Sequence, residues 1–221
     1  MNQNMSVTQR RRKRQRGSNI MEFALLSIFL FPLFMGTITT GMGLGKMIQT
    51  AQISRDAGHM FVRLVDFSLP ANQDLIVRLA NGMNMTRAGG NGTVVLTQVL
   101  MIGDDECNSA GLAGTNCANR YYPVITQRIV IGNPSLYTSS IGTPSANLIH
   151  ADGTIDVNDY LSDVSCRALT LSTNTSPSPY IGLLTLNASE RTYISEAYFT
   201  APELAFLNNN RPVNIYSRNY F

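Results

Sequence analysis

The chain has 221 residues, of which 44% are hydrophobic and 14% charged, so it is long enough and apolar enough to bury a core. These proportions exclude an intrinsically disordered protein. The formal charge of +3 comes from the N-terminus alone, because six basic residues precede Gly17 whereas the rest of the chain has eleven basic and fourteen acidic residues.

A basic run at residues 10–16 precedes an uncharged, largely apolar segment of 23 residues, Phe23 to Gly45. A helix rises about 1.5 Å per residue, so this segment is long enough to cross the roughly 30 Å hydrocarbon layer of a bilayer. Basic residues beside such a span hold that end in the cytoplasm. The pattern favours a single-pass membrane protein whose chain from Lys46 onward lies outside the cytoplasm. A nucleic-acid-binding arm is the alternative interpretation of an arginine run.

Two cleavable export signals also begin with basic residues. A secretory signal peptide has an apolar region of about 7 to 15 residues and a small-x-small cleavage site, whereas this apolar segment is longer and offers no Ala-x-Ala site. A twin-arginine signal is matched only weakly, because arginine, lysine and glutamine follow the paired arginines. An uncleaved membrane anchor explains the length and the charge.

Glu22 is the feature that a plain anchor does not explain. It lies at the start of the apolar segment, where a carboxylate without a partner costs several kcal/mol, and intramembrane acids usually have a function. The alternative is that Glu22 lies at the headgroup level and stays hydrated.

The segment GSNIME resembles a type IV prepilin signal. In that family a basic leader ends in glycine, a prepilin peptidase cuts after this glycine on the cytoplasmic side, and the fifth residue of the mature chain is glutamate. The resemblance implies cleavage between Gly17 and Ser18, with Glu22 fifth. It also implies that the Glu22 carboxylate pairs with the new α-ammonium group of a neighbouring subunit and sets the axial register of the bundled helices.

The longer segment GSNIMEFALLSIFLFPLFMG resembles the N-terminus of TadE-like and TadG-like pseudopilins of bacterial tight-adherence (Flp-type) pili. The match is carried by Gly17, Glu22, Phe23, Ala24, Leu25, Pro32, Leu33 and Gly36. It implies a minor pilin or pseudopilin in the bacterial inner membrane that acts in surface attachment or secretion. Its partners would be other pilin subunits, the prepilin peptidase and the pilus assembly machinery.

Two alternatives to this function remain. One is an uncleaved single-pass envelope protein whose exported domain binds a partner. The other is a pseudopilin of a type II secretion system, because the same signal occurs there. Catalysis is not expected, because the sequence has no Gly-x-Ser-x-Gly motif, no phosphate-binding loop and no histidine pair at metal-ligand spacing. No cofactor is predicted.

Helical spacing continues beyond the apolar segment. A stripe at intervals of three and four residues is formed by Met47, Ala51, Ser54, Gly58, Phe61 and Val65. This stripe is expected to pack either against the stems of neighbouring subunits or against the protein's own head. A second helix is predicted to start at Pro70 and end near Gly82, with Leu75, Ile76 and Leu79 on one face.

The pattern then changes to that of strands. Two β-branched runs, Gly92–Gly103 and Tyr122–Gly132, predict a hairpin with a long connection. The alternation over Arg191–Thr200 predicts a further strand, and it resembles the late strand of TadE-like domains.

The chain is therefore predicted to be α+β, with a mainly antiparallel, pilin-like head. Its predicted parts are a basic cytoplasmic leader that is cleaved (1–17), a transmembrane and assembly helix (18–45), an extramembrane helical stem (46–82) and an exported globular head (83–221).

The long connection of the predicted hairpin contains Cys107 and Cys117. In a non-cytoplasmic compartment this pair is a disulfide candidate, whereas a zinc site would need two further ligands and the only histidines are His59 and His150. Cys166 is left over, either as a buried small hydrophobic residue or as an intermolecular partner.

An acidic segment near residue 155 resembles the second half of a calcium loop through Asp152, Asp156 and Asp159. The first and third ligand positions would fall on Leu148 and His150, which do not suit a hard cation that needs oxygen ligands. A turn rich in Asp, Asn and Gly is therefore expected, with a weak calcium site as the alternative.

Overall fold

The structure, a computed structural model, describes residues 4–112, 116–168, 180–181, 184–207 and 211–221, with side chains described for residues 19–112, 116–168, 186–205 and 211–221. Internal contacts divide the chain into two units, Met1–Gly45 and Lys46–Phe221. The chain is α+β, because it combines a long N-terminal helix with a mainly antiparallel sheet.

The first helix, α1 (Asn4–Val62), contains both the predicted membrane segment and the first part of the predicted stem. Pro32 lies inside it. The second helix, α2 (Pro70–Leu79), begins with proline at a position where no backbone N–H is needed. Ile76 is its buried residue, whereas Leu75 and Leu79 remain partly exposed.

The described residues also form two shorter α-helices and eight strands, together with short 3-10 turns. The helices are α3 (Asp104–Ser109) and α4 (Val157–Ser162). The strands are β1 (Met85–Thr86), β2 (Gly89–Gly90), β3 (Gly92–Met101), β4 (Pro123–Gly132), β5 (Tyr180–Ile181), β6 (Leu184–Thr185), β7 (Arg191–Ala201) and β8 (Val213–Tyr220). The main sheet has the order β4-β3-β7-β8, and every neighbouring pair in it is antiparallel.

The predicted hairpin is confirmed as β3 and β4, which pair from Thr93 opposite Gly132 to Met101 opposite Pro123. A bulge between Gln98 and Val99 interrupts the register. Almost every residue of β3 is buried, because the strand is central and covered on both faces. This explains why its sequence is a nearly continuous apolar run.

One face of the sheet packs on the C-terminal end of α1. Ile53, Ala57 and Phe61 form a cluster with Leu96 and Phe199. The predicted stripe is correct for Ser54, Gly58 and Phe61, which are buried, and Val65 is partly buried. Met47 and Ala51 are exposed, and Ala51 is turned away from the face formed by Ile53, Ser54 and Ala57. The outer part of the stripe, from Ser54 onward, thus packs on the protein's own head.

The other face of the sheet is covered by the chain between β4 and β7. Ile125 and Ile194 on the strands pack with Ile141, Ile155 and Cys166 from that connection. The sequence pattern did not predict the edge strand β8. Polar and apolar residues alternate only weakly along it, and Ile215 is its one buried aliphatic residue.

Candidate functional site

The predicted processing site lies in α1. The Gly17–Ser18 bond belongs to its helical backbone, and the side chain of Ser18 lies outside those that the structure describes. Glu22 follows as an exposed residue. Since a helix rises about 1.5 Å per residue, the Cα of Glu22 lies roughly 7.5 Å along the axis from that of Gly17. Glu22 therefore lies between the basic run and the uncharged apolar segment that begins at Phe23.

The apolar part of α1 exposes nearly all of its large side chains. Phe23 is 68% exposed and Leu33 is 68% exposed, and the remaining motif residues are exposed as well, namely Ala24, Leu25, Pro32 and Gly36. Among the described residues one helix, Asn19–Val62, is long and apolar enough to cross a membrane, and only 6% of its most apolar window is buried. A core helix of a soluble protein would bury most of such a window, whereas the apolar side chains of this helix are not covered by the rest of the described chain.

Polar groups along this surface are satisfied within the helix itself. Ser27 Oγ donates to the carbonyl of Phe23 at 2.7 Å, and Thr40 Oγ1 donates to the carbonyl of Gly36 at 2.8 Å. A Cβ added at Gly36 or Gly45 would meet no atom within 4 Å. These glycines are not required by contacts within the chain, and small residues allow another helix to approach closely.

A disulfide joins Cys107 and Cys117, the predicted pair, with Cα atoms 5.8 Å apart. Cys107 belongs to α3, in the connection between β3 and β4. Both residues are buried and pack with Ile102, Val124 and Leu161. The bridge therefore anchors the connection to the edge of the sheet.

The acidic segment forms a turn and a contact with His150. Asp152 Oδ1 accepts hydrogen bonds from Thr154 N at 2.9 Å and from Thr154 Oγ1 at 2.6 Å, and these bonds lower the pKa of Asp152. Asp156 Oδ2 lies 3.2 Å from His150 Nε2, and Asp159 lies in the first turn of α4. Among the described residues no group of three His, Cys, Asp or Glu is placed to hold a metal ion.

Cys166 is a free, fully buried thiol. It packs in the second apolar cluster beside Ile125 and Ile155. Burial raises the pKa of the Cys166 thiol to about 11, and the nearby Asp163 carboxylate adds to the shift. The structure therefore favours the structural interpretation of this residue over the intermolecular one.

A buried carboxylate that sequence reasoning did not single out as a site lies on β7. Glu196 is completely buried, and its Oε1 accepts hydrogen bonds from the hydroxyls of Tyr137 and Tyr216, each at 2.8 Å. Arg218 donates to the same oxygen from Nη2 at 2.8 Å and from Nε at 3.1 Å, and Ser139 Oγ donates to Oε2. We call these five residues the Glu196 cluster. It joins β7 to β8 and to the connection that follows β4.

Hydrogen bonds and a nearby charge keep the Glu196 carboxylate ionised. Burial by itself would raise the pKa of Glu196, but the hydrogen bonds from Ser139, Tyr137 and Tyr216 together with the charge of Arg218 lower it below its usual value. The pKa of Tyr216 rises because its hydroxyl is shielded from solvent and lies beside Tyr137 and the Glu196 carboxylate, although its ring remains partly exposed. The only signal in the sequence is the alternation along β7, which places Glu196 on the same side as Ile194.

A buried cation, Arg128, lies on the same face of the sheet. Arg128 is only 8% exposed, donates from Nε to Thr97 Oγ1 at 3.3 Å and also donates to the carbonyl of Gly142. Its Nη2 has no hydrogen-bond partner among the described residues. Burial lowers the pKa of Arg128 to about 10, although the charge of Glu196 opposes the shift.

No protein-family model, no curated protein and no solved structure matches this chain.

Proposed function

We propose that this chain is a membrane-anchored minor pilin or pseudopilin of the tight-adherence type. The observation that carries the proposal is the N-terminal helix, whose uncharged apolar segment begins immediately after Glu22 and is almost unburied within the chain. A surface of this kind requires lipid or other apolar helices around it.

Cleavage between Gly17 and Ser18 would give the helix a new charged end. The α-ammonium group of Ser18 would then lie close to the apolar surface, where an unpaired charge is costly. The carboxylate of Glu22 on a neighbouring subunit can offset that cost, and it can do so at only one axial offset between the helices. Pairing of this kind sets the register of the bundle.

The apolar helix also has the small residues that such a bundle uses. Gly36 and Gly45 leave open space along α1, and close packing of helices in lipid depends on small residues. Pro32 removes one backbone hydrogen bond, which neighbouring groups compensate in membrane helices.

The head fits an exported location. Its disulfide, Cys107–Cys117, is a bond that persists in oxidising compartments such as the periplasm. The N-terminus would then lie in the cytoplasm and the head in the periplasm or on the cell surface, within a pilus or at its tip.

The test is the N-terminus of the protein recovered from native membranes, determined by intact mass and N-terminal peptide mapping. The expected chain begins at Ser18. A Gly17→Leu variant is expected to keep its leader, whereas Gly36→Leu, a matched change on the same helix, is expected to be processed normally. A wild-type chain that keeps its arginine leader would overturn the proposal and leave an uncleaved envelope protein.

A further inference from the structure

A cleft of about 190 Å³ lies in the head, beside the C-terminal end of α1. Leu64 and Asp66 line it from the segment that follows α1. Three strands of the main sheet contribute the side chains on the opposite side, which are Gln98, Gln127 and Tyr193. All of these residues belong to the second of the two units, so the cleft is formed within one compact part of the chain.

Three polar side chains cross the sheet in one row at this cleft. Gln98 on β3 is directly opposite Gln127 on β4 and Tyr193 on β7, so the three side chains share one face of the sheet. It is the face that packs on α1. Two residues further along the strands on this face are Leu96 and Ile129, which belong to the apolar core. The row is therefore polar within an otherwise apolar face.

A β-bulge lies directly beside the row. Beyond the pair of Gln98 and Gln127 the register skips Thr126, which is an additional residue in β4. A bulge bends its strand and redirects the side chains next to it, and bulges occur often beside active sites.

The hydrogen-bonding capacity of the row is only partly used within the chain. Gln98 Nε2 donates to the hydroxyl oxygen of Tyr193 at 3.2 Å, and Gln127 Nε2 donates to the carbonyl of Asp152 at 3.2 Å. Among the described residues, no group donates to the Oε1 atom of either glutamine, and none accepts the hydroxyl proton of Tyr193. Two amide oxygens and a phenolic proton thus remain for a ligand.

A leucine in an unfavourable backbone conformation lies at the cleft. Leu64 has a φ of 62° and is 78% exposed. Its N–H donates to the Phe61 carbonyl, and the N–H of Val65 donates to the Met60 carbonyl, which is the Schellman ending of a helix. Glycine is the usual residue at this position, because a side chain is strained there. The core of the protein does not use this exposed leucine, and strained residues of this kind occur often where ligands are held.

The lining of the cleft fits an uncharged ligand. Among the described lining residues there is no lysine or arginine, so no cation there would balance an anion. Asp66 is the single carboxylate of this lining, and its Oδ1 already accepts from Ser68 N at 2.9 Å. One carboxylate does not make a metal site, and the described residues hold no group of three metal ligands. The other groups are two neutral amides, a phenol and apolar side chains.

We propose that this cleft binds one neutral sugar ring of a glycan. A sugar hydroxyl both donates and accepts hydrogen bonds, as do a glutamine amide and a tyrosine hydroxyl. Neighbouring strands are about 4.8 Å apart, so the row offers these groups at a spacing close to that of hydroxyls on alternate carbons of one pyranose ring. The apolar C–H groups of the ring pack on Leu64. A peptide strand fits less well, because peptides add to the edge of a sheet whereas this row lies on a face.

The first test is saturation-transfer NMR on the full chain in a detergent that has no sugar headgroup. The probes are the methyl glycosides of glucose, galactose, mannose and N-acetylglucosamine, each at about 10 mM. At least one of them is expected to bind. Methyl glucuronide, which has the same kind of ring with a carboxylate, should bind at least about tenfold more weakly than the best neutral glycoside, because it meets Asp66 and no cation.

Substitutions of the row test the hydrogen bonds. Gln98→Leu and Gln127→Leu each remove an amide and keep a side chain of similar width, so each should weaken binding of the best glycoside about tenfold. Gln52→Leu, the same change at an exposed position of α1, is the matched control and should leave binding unchanged.

Leu64→Gly separates binding from folding. Glycine suits the backbone at this position, so the melting temperature should stay the same or rise, whereas binding should weaken at least about threefold because the ring loses its apolar contact. A variant that melts at a lower temperature and binds normally would contradict the role given to Leu64.

Three results would overturn the inference: no binding of any neutral glycoside, binding that survives in both glutamine variants, or tighter binding of methyl glucuronide or of the peptide probe acetyl-alanine-N-methylamide. The inference concerns the head alone and does not depend on cleavage at Gly17. Its failure would therefore leave the function proposed for the N-terminal helix unaffected.

Discussion

Arg218 and Glu196 lie opposite each other on β8 and β7, and Arg218 Nη2 is 2.8 Å from Oε1 of a completely buried carboxylate. The same carboxylate accepts hydrogen bonds from Tyr137 and Ser139, which precede it by 59 and 57 positions. A single acidic residue thus ties the edge strand and a long connection to the centre of the sheet. Removing its charge tests how much of the head depends on it.

Glu196→Gln should lower the free energy of unfolding of the head by about 3 kcal/mol, because the cation and three hydroxyls lose a charged acceptor that burial makes hard to replace. Urea unfolding of the full chain in detergent measures the change. Asp105→Asn removes an exposed carboxylate and should change stability by less than about 0.5 kcal/mol. Equal effects of the two substitutions would contradict a structural role for the cluster.

Acid should release the same interaction. The pKa of Glu196 is lowered from the value of 4.5 in an unfolded chain, so its contribution to stability is fully present above pH 4.5 and is lost as the pH falls through the lower folded value. Melting temperatures measured from pH 6 down to pH 2 should fall over that window. The Glu196→Gln variant should lose much less of its stability there, and an equally steep decline would assign the acid sensitivity to other groups.

Cys166 should be almost inert in the folded protein. With its pKa raised to about 11, roughly one thiol in a thousand is ionised at pH 8, and the sulfur is fully buried. Alkylation by iodoacetamide should be at least about a hundredfold slower in the native chain than in urea. Rapid labelling, or an intermolecular disulfide through Cys166 in native membranes, would restore the alternative that this residue joins subunits.

The disulfide should stabilise the head by about 2 to 3 kcal/mol, as the chain-entropy model gives for a short closed loop. Replacing Cys107 and Cys117 by serine should therefore lower the free energy of unfolding and shift the urea midpoint downward. Reduction of the wild-type chain should give the same shift, and dithiothreitol should not affect the double variant. A loss of less than about 0.5 kcal/mol would mean that the connection is held by packing alone.

Local patterns were sufficient for the parts of the fold that local chemistry determines. The apolar run predicted the first helix, the β-branched runs predicted β3 and β4, and the spacing of Cys107 and Cys117 indicated their bridge. The strand β8 and the Glu196 cluster were not predicted. Their residues are polar and meet only after the chain has folded, because the partners come from separate segments and no spacing along the sequence relates them.

Glu22→Ala tests the mechanism proposed for the N-terminal helix. The variant should still be cut after Gly17 and inserted, because the leader and the glycine are intact, but it should assemble poorly because the α-ammonium of Ser18 loses its partner. Sheared surface filaments and the membrane fraction, compared by immunoblot, measure assembly and insertion separately.

Glu22→Gln refines the same test, since it keeps the size of the side chain and removes only its charge. It should assemble as poorly as Glu22→Ala if ion pairing sets the register, whereas Glu22→Asp should retain part of the assembly. Filaments formed by Glu22→Gln at the wild-type level would rule out the charge pair. The register would then have to come from the packing of apolar side chains along α1.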